Sequence, residues 1–270
     1  NALNDNNLSS IRIPEFDGQD TFIPSNMMQY FNQFQDETFL AYLTSKILLK
    51  IDNKIPIENY NLNTTIKNDI NNNIISRFIV FFNSVVWKIF SVIGKSPKTF
   101  FFKTSLNKKS EISYNINLGQ IPFVHPFEEI KTFHAPIMKL RSKMKSNNLI
   151  GFDKVLYELL WDYLPVSFLE GFKNQYEKIQ KMTKNFHPRT IVTSMAGTMG
   201  NEAFIIYLMT RGNKRPKIIS LQHGGCYGTF KFNSVEEHEI DVSDYYFSWG
   251  WSNNIKVIPS YIHKHLNNSF

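Results

Sequence analysis

A single cysteine, Cys226, in a chain of 270 residues excludes a disulfide framework. A reducing, cytoplasmic compartment is the simplest setting for such a chain. There is also no run of about 20 uninterrupted apolar residues, the length a membrane-spanning helix requires. The nearest stretch, 74–93, sets Ile75, Phe78, Ile79, Phe82, Val85, Val86, Ile89 and Ile93 at helical spacing and gathers Asn83, Ser84, Lys88 and Ser91 opposite. That pattern predicts an amphipathic helix buried against a sheet. Docking on the inner membrane surface is the lesser alternative, because the polar face holds few cations. Cations exceed anions, 30 against 23, but no basic tract exists. A scattered excess suits anionic ligands or an anionic membrane surface and does not point to nucleic acid. Metal-ligand spacing is missing too: His125 and His134 stand in turn-like contexts without a cysteine or carboxylate to complete a set, so no metal is expected. No secretory signal opens the chain, which begins at Asn1 and is expected to be a piece of a longer protein.

What is present is ample apolar material, including 24 phenylalanines, arranged in periodic segments. Residues 1–35 are polar and expected to be irregular. Asp36 can cap a helix from Glu37 to about Lys50, and a low-complexity loop follows over 58–73. Residues 98–105 read as a strand, and 114–123 as a second. A helix is expected from Asp153 through Trp161. Ser167 and Glu170 have the form of a capping box opening a helix from Phe168 to about Lys184. Next come a strand at Thr190–Ser194, a helix ended by Arg211-Gly212-Asn213, and a strand at Lys217–Gln222, which together make a β-α-β unit. Right-handed crossovers bring the loops that leave both strands to one edge of the sheet. The fold class is therefore α/β, a Rossmann-like parallel sheet with flanking helices. Residues 1–97 are assigned to a helical region wrapping the core, 98–256 to the α/β domain, and 257–270 to the start of a linker.

The candidate site is the corner after Leu221, where the chain turns polar at Gln222-His223-Gly224-Gly225. Ligands of open α/β sheets bind beyond the carboxyl ends of strands, and adjacent glycines allow close backbone approach and positive φ. The plain alternative is a Gly-Gly turn with a satisfied histidine. The company the corner keeps, Tyr227, the acidic run Glu236-Glu237-His238-Glu239, Asp244 and Trp249-Gly250-Trp251, favours a site. The loop holding Gly197, Thr198 and Gly200 ends at a helix start near Glu202, where free amides and the helix dipole suit phosphate or carboxylate. It is neither a P-loop nor a full dinucleotide fingerprint, and a simple tight turn is an even alternative. Ser234-Val235-Glu236-Glu237 reads as a second capping box, in which Glu237 caps and His238 and Glu239 face the crevice. A general base must lie within hydrogen-bond reach of the proton it takes; His223, His238, Glu239 and Glu202 are the candidates. Cys226 lacks an activating partner and is set aside as a nucleophile.

QHGGCYG, EEHE and SDYYFSWGW, with LPVSFLEGF and TSMAG upstream, resemble a family of bacterial transferases of surface-carbohydrate biosynthesis, lipopolysaccharide and capsule included. The match is strongest over 164–251. Members are similar in outline to GT-B glycosyltransferases, with two Rossmann-like domains facing across a cleft. The resemblance implies that this chain supplies the N-terminal half, with His223, Gly224, Gly225 and Tyr227 on the cleft floor and Glu239 and Asp244 nearby. It further implies a nucleotide sugar and a carbohydrate acceptor as partners, no resident cofactor, and a donor-binding second domain beginning near 257–259, so that this chain alone would be inactive. His223 is expected as the base, Glu239 as the second choice. An epimerase or hydrolase of the same architecture and a carbohydrate- or nucleotide-binding module are the alternatives.

Overall fold

The computed structural model describes residues 11–15, 22–51, 57–61, 96–120, 135–145, 148–194 and 202–261. In chain order the elements are β1 (Ile11–Glu15), α1 (Met27–Gln33), α2 (Glu37–Ile51), β2 (Ile57–Asn61), β3 (Thr99–Phe102), α3 (Lys108–Asn117), α4 (Met138–Met144) and α5 (Gly151–Tyr163). They continue with α6 (Phe172–Met182), β4 (Thr190–Thr193), α7 (Glu202–Arg211), β5 (Lys217–Leu221), α8 (Ser234–Val242), β6 (Tyr245–Ser248) and β7 (Val257–Pro259). The chain divides into two compact units that interleave in sequence: Asn1–Asn71 with Ile130–Lys173, and Asn72–Glu129 with Asn174–Phe270. The amphipathic stretch 74–93 and both His125 and His134 lie outside the described residues.

In the first unit β1 and β2 pair in parallel, Ile11 opposite Ile57. Order here was not expected in 1–35 or 58–73, where polar composition hid two short strands and α1, whose cap is the Asn26 side chain accepting from the Gln29 amide. Aromatic packing joins the elements: Phe39, almost fully buried, meets Phe22 at 5.5 Å and Tyr163 at 5.7 Å between ring centres. Each such buried ring stabilises by about 1.5–3 kcal/mol. At the end of α5 the fully buried Arg141 donates through Nη1 to the carbonyls of Trp161 (3.0 Å) and Leu164 (2.9 Å) and grips Glu170 with two 2.7 Å bonds. Glu170 is thus no helix cap, as S-x-x-E suggested. Ser167 sits in a 3₁₀ turn over Val166–Phe168, and the helix starts only at Phe172, because the carboxylate is spent on the guanidinium.

The second unit carries a five-stranded, all-parallel sheet in the order β3-β4-β5-β6-β7. The strands expected at 190–194 and 217–222 are adjacent and parallel, and β6 pairs in parallel on the other side of β5. This is the Rossmann-like α/β fold, with one particular: consecutive strands are neighbours throughout, so the described sheet has no reversal of strand order. Right-handed crossovers then place α7 and α8 on the same face. The packing agrees, since Phe204 of α7 stacks on Phe102 at 4.9 Å, and Ser243, just after α8, meets Ser220 of β5 with hydroxyls 2.6 Å apart. That face holds the alternate, buried positions Phe100, Phe102, Ile191, Ile218 and Tyr246. Residues 114–117, expected at the start of a strand, instead finish α3, because Asn107 caps the helix by accepting from the Ser110 amide at 2.8 Å. Val257–Pro259, expected at the head of a linker, is the edge strand paired with β6.

Candidate functional site

The site is built where β5, the middle strand, ends. Gln222 is the first residue past it, and its amide still donates to the Phe247 carbonyl of β6 at 2.9 Å. Its side chain is buried and makes three bonds: Oε1 accepts from the Trp249 amide (2.7 Å) and the Trp251 indole (2.9 Å), and Nε2 donates to the Gly224 carbonyl (2.7 Å). Gln222 therefore clamps the loop after β5 to the loop after β6.

Held by that clamp, His223 points Nε2 at Glu239 Oε1, 2.9 Å away, with the Tyr227 hydroxyl 3.1 Å from the same nitrogen. A carboxylate oxygen only accepts, so Nε2 carries the proton of this bond and the lone pair rests on Nδ1. No described residue hydrogen-bonds Nδ1. Glu239 reaches this place because α8 turns Glu236, Glu239 and Ile240 inward together. Tyr227 and, on β6, the fully buried Tyr246 complete the surroundings. Burial, and then the negative charge of Glu239, raise both phenol pKa values, so both hydroxyls keep their protons at neutral pH. The arrangement is a histidine oriented by a buried carboxylate, the geometry of a general base.

Other expected residues are placed differently. The helix α8 is capped by Asn233, whose side chain accepts from the Val235 and Glu236 amides, because Asn233 precedes Ser234 with the extended backbone a cap needs. Glu237 is left exposed, and His238 points outward with it, since a helix that turns Glu236 and Glu239 inward turns these two out. Asp244 stands at the opposite edge of the sheet. It precedes β6, where its carboxylate accepts from the Ile218 amide (2.8 Å) and pairs with Arg215 (2.9 Å). Glu202 is buried at the start of α7, while Gly197, Thr198 and Gly200 lie outside the described residues.

Neither Gly224 nor Gly225 has a positive φ, contrary to the reason glycine was expected there. The glycine the backbone does require is Gly228, at φ +74°, where a Cβ would come within 2.6 Å of the Trp251 ring. Its amide donates to Glu236 Oε2 at 2.7 Å, which makes Glu236 the anchor of this turn. Among the described residues no group of three or more His, Cys, Asp or Glu is placed to hold a metal ion, and no helix is long and apolar enough to cross a membrane.

A parallel α/β sheet flanked by helices defines a Rossmann-like protein, and the oriented histidine beyond the carboxyl end of its central strand is its candidate site. The family model described as LIC12162 family transferase matches residues 2–269, and the chain belongs to that family. Membership makes it a transferase, and so an enzyme. Searches of curated proteins and of solved structures find no match.

Proposed function

We propose that this transferase moves a sugar from a nucleotide-activated donor to a hydroxyl of a carbohydrate acceptor, as in building a bacterial surface polysaccharide such as lipopolysaccharide or capsule. The observation that supports this reading is the 2.9 Å pairing of His223 Nε2 with Glu239, which leaves Nδ1 as the basic nitrogen. In the proposed step Nδ1 takes the acceptor hydroxyl proton while the acceptor oxygen bonds to the donor's anomeric carbon. The bond from that carbon to the phosphate oxygen breaks, and its electron pair leaves with the nucleotide. Glu239 stabilises the imidazolium that forms, as a buried carboxylate does for a neighbouring cation. Amides of Gly224 and Gly225, just past the strand end, offset negative charge on the departing phosphate.

The test is a panel of uridine, guanosine and cytidine sugar nucleotides offered with mono- and oligosaccharide acceptors, followed by mass spectrometry of the products. An acceptor heavier by one sugar, with one nucleotide released per transfer, supports the reading. Release of nucleotide with free sugar, or conversion of the donor to an isomer, identifies a hydrolase or an epimerase and sinks it.

A further inference from the structure

A polar depression lies in the same unit as the candidate site, and the proton-transfer step makes no use of it. It is a cavity of about 390 Å³ between α8, the loop that leads into it, and the turn between β6 and β7. That volume falls within the range of small-molecule sites. Its walls combine three kinds of group. Phe230 offers an aromatic ring, 63% exposed. Asn233 and Asn254 offer amide NH₂ groups in fixed orientation: Asn233 Oδ1 is occupied by the Val235 and Glu236 amides, and Asn254 Oδ1 by the Lys256 amide at 3.0 Å, so each side chain has its donor end left over. Glu236, Glu237 and Asp241 supply acceptors. Glu236 is 7% exposed, and only one of its oxygens is bonded by a described residue, the Gly228 amide.

Fixed donors and acceptors alternating on one wall suit a ligand whose every polar group both gives and receives a hydrogen bond. Hydroxyl groups do so, whereas phosphate and carboxylate only accept. Charge makes the same choice, because the lining sets three carboxylates against one ammonium, Lys231, with a second, Lys256, held at the border by the Ile240 and Asp241 carbonyls; acceptors still outnumber cations, and an anion would be repelled. A bare metal ion is a poor fit, since the described carboxylates form no group of three placed to hold one. The exposed ring adds an apolar platform for the C–H face of a pyranose. We infer that this cavity is a carbohydrate subsite that takes a neutral or amino sugar and excludes the nucleotide. Resting on the proposed transfer, it is the place where the acceptor is held beyond the reacting hydroxyl. The segment Tyr227–Asn233 joins the subsite to the His223 pair, because Tyr227 touches the histidine and Asn233 caps the helix that carries Glu239.

Binding is measured on the full chain by following the side-chain ¹⁵NH₂ resonances of Asn233 and Asn254. Glucose, N-acetylglucosamine and glucosamine are the sugar probes; inorganic phosphate and uridine diphosphate are the anion probes. At up to about 10 mM, where a millimolar site is largely filled, at least one sugar shifts both resonances saturably and neither anion does. Phe230→Ala, at an exposed position, leaves the melting temperature unchanged and weakens the sugar about fivefold. Unmoved resonances with all three sugars, or shifts produced by phosphate or uridine diphosphate, overturn the inference. The assay needs no turnover, so the two proposals fail separately. Sugar binding here without any transfer contradicts only the proposed reaction, and measured transfer with silent Asn233 and Asn254 contradicts only the subsite.

Discussion

Gly228 lies against the indole of Trp251 so closely that a Cβ on it would approach the ring to 2.6 Å, and its φ of +74° is one that other residues resist. Gly228→Ala should cost about 2–4 kcal/mol, combining left-handed strain with overpacking. At Gly224 the nearest atom to an added Cβ is 3.6 Å away, and at Gly225 nothing lies within 4 Å. Gly224→Ala and Gly225→Ala should therefore change stability by less than about 0.5 kcal/mol in urea unfolding. Equal losses at all three positions would refute this division between a structural glycine and two that leave room above the backbone.

Gln222 joins the loops after β5 and β6 through three side-chain hydrogen bonds. Gln222→Leu keeps the bulk and leaves the Trp249 amide and Trp251 indole without their acceptor, a cost of about 1–3 kcal/mol for each buried group. Unfolding at lower urea, together with altered tryptophan emission of the folded state, is the expected result. Wild-type stability and emission would show that Gln222 is no clamp.

Arg141 and Glu170 form a buried pair in the first unit, with side chains essentially inaccessible. Burial would raise the Glu170 carboxyl, but bonds from Arg141 and the Ile137 amide outweigh it and hold its pKa below the ordinary glutamate value. A depressed carboxyl contributes stability that is present above its unfolded pKa and lost as pH falls through the folded one. Glu170→Gln should thus be less stable than wild type at pH 7, and the gap should narrow below about pH 4.5. Arg141→Met, which strands a buried carboxylate, should cost about 3–5 kcal/mol at pH 7. A pH-independent gap for Glu170→Gln would contradict the assignment.

At the alkaline end the sign reverses. Tyr227 and Tyr246 have raised pKa values, and burial pushes Tyr207 up to about 12. Their contribution is complete below the ordinary tyrosine value of about 10 and disappears as pH rises through the higher folded values. Tyr246→Phe should flatten the loss of stability above about pH 10, and the folded protein should show delayed phenolate absorbance. Ordinary titration of all tyrosines near pH 10 would contradict the burial.

How far the fold was legible follows from what each segment advertises. The strands at 190, 217 and 244 are short apolar runs between turn signals, and their helices carry clear periodicity, so the parallel arrangement could be read directly. The order inside 1–35 could not, because β1 contains Arg12, Pro14 and Glu15 among five residues. Ser167 and Ser234 each fitted a capping pattern, yet a pattern cannot see Arg141 arriving from 29 residues upstream to take Glu170. His223 and Glu239 are both candidates by sequence, and the structure brings them together. Asp244 was chosen for its nearness in sequence, but a residue that opens a strand lies at the far edge from one that closes its neighbour. Gly228 closes QHGGCYG, but its reason for being glycine is Trp251, 23 positions on, which no local pattern shows.

The His223–Glu239 pair is tested most directly by comparing transfer rate, once the donor and acceptor panel has yielded a product, in wild type, His223→Ala and Glu239→Gln, with melting temperature recorded for each. Loss of a positioned base lowers turnover by about 10²–10⁴-fold. We predict a loss of that size for His223→Ala and at least about tenfold for Glu239→Gln, whose amide can accept from Nε2 but cannot balance the imidazolium charge. His223→Ala also removes a bond to the buried Glu239, at a cost of about 1–3 kcal/mol, so its melting temperature should fall by several degrees and the rates are compared well below that range. A folded His223→Ala protein that transfers at the wild-type rate would contradict the assignment of His223 as the base.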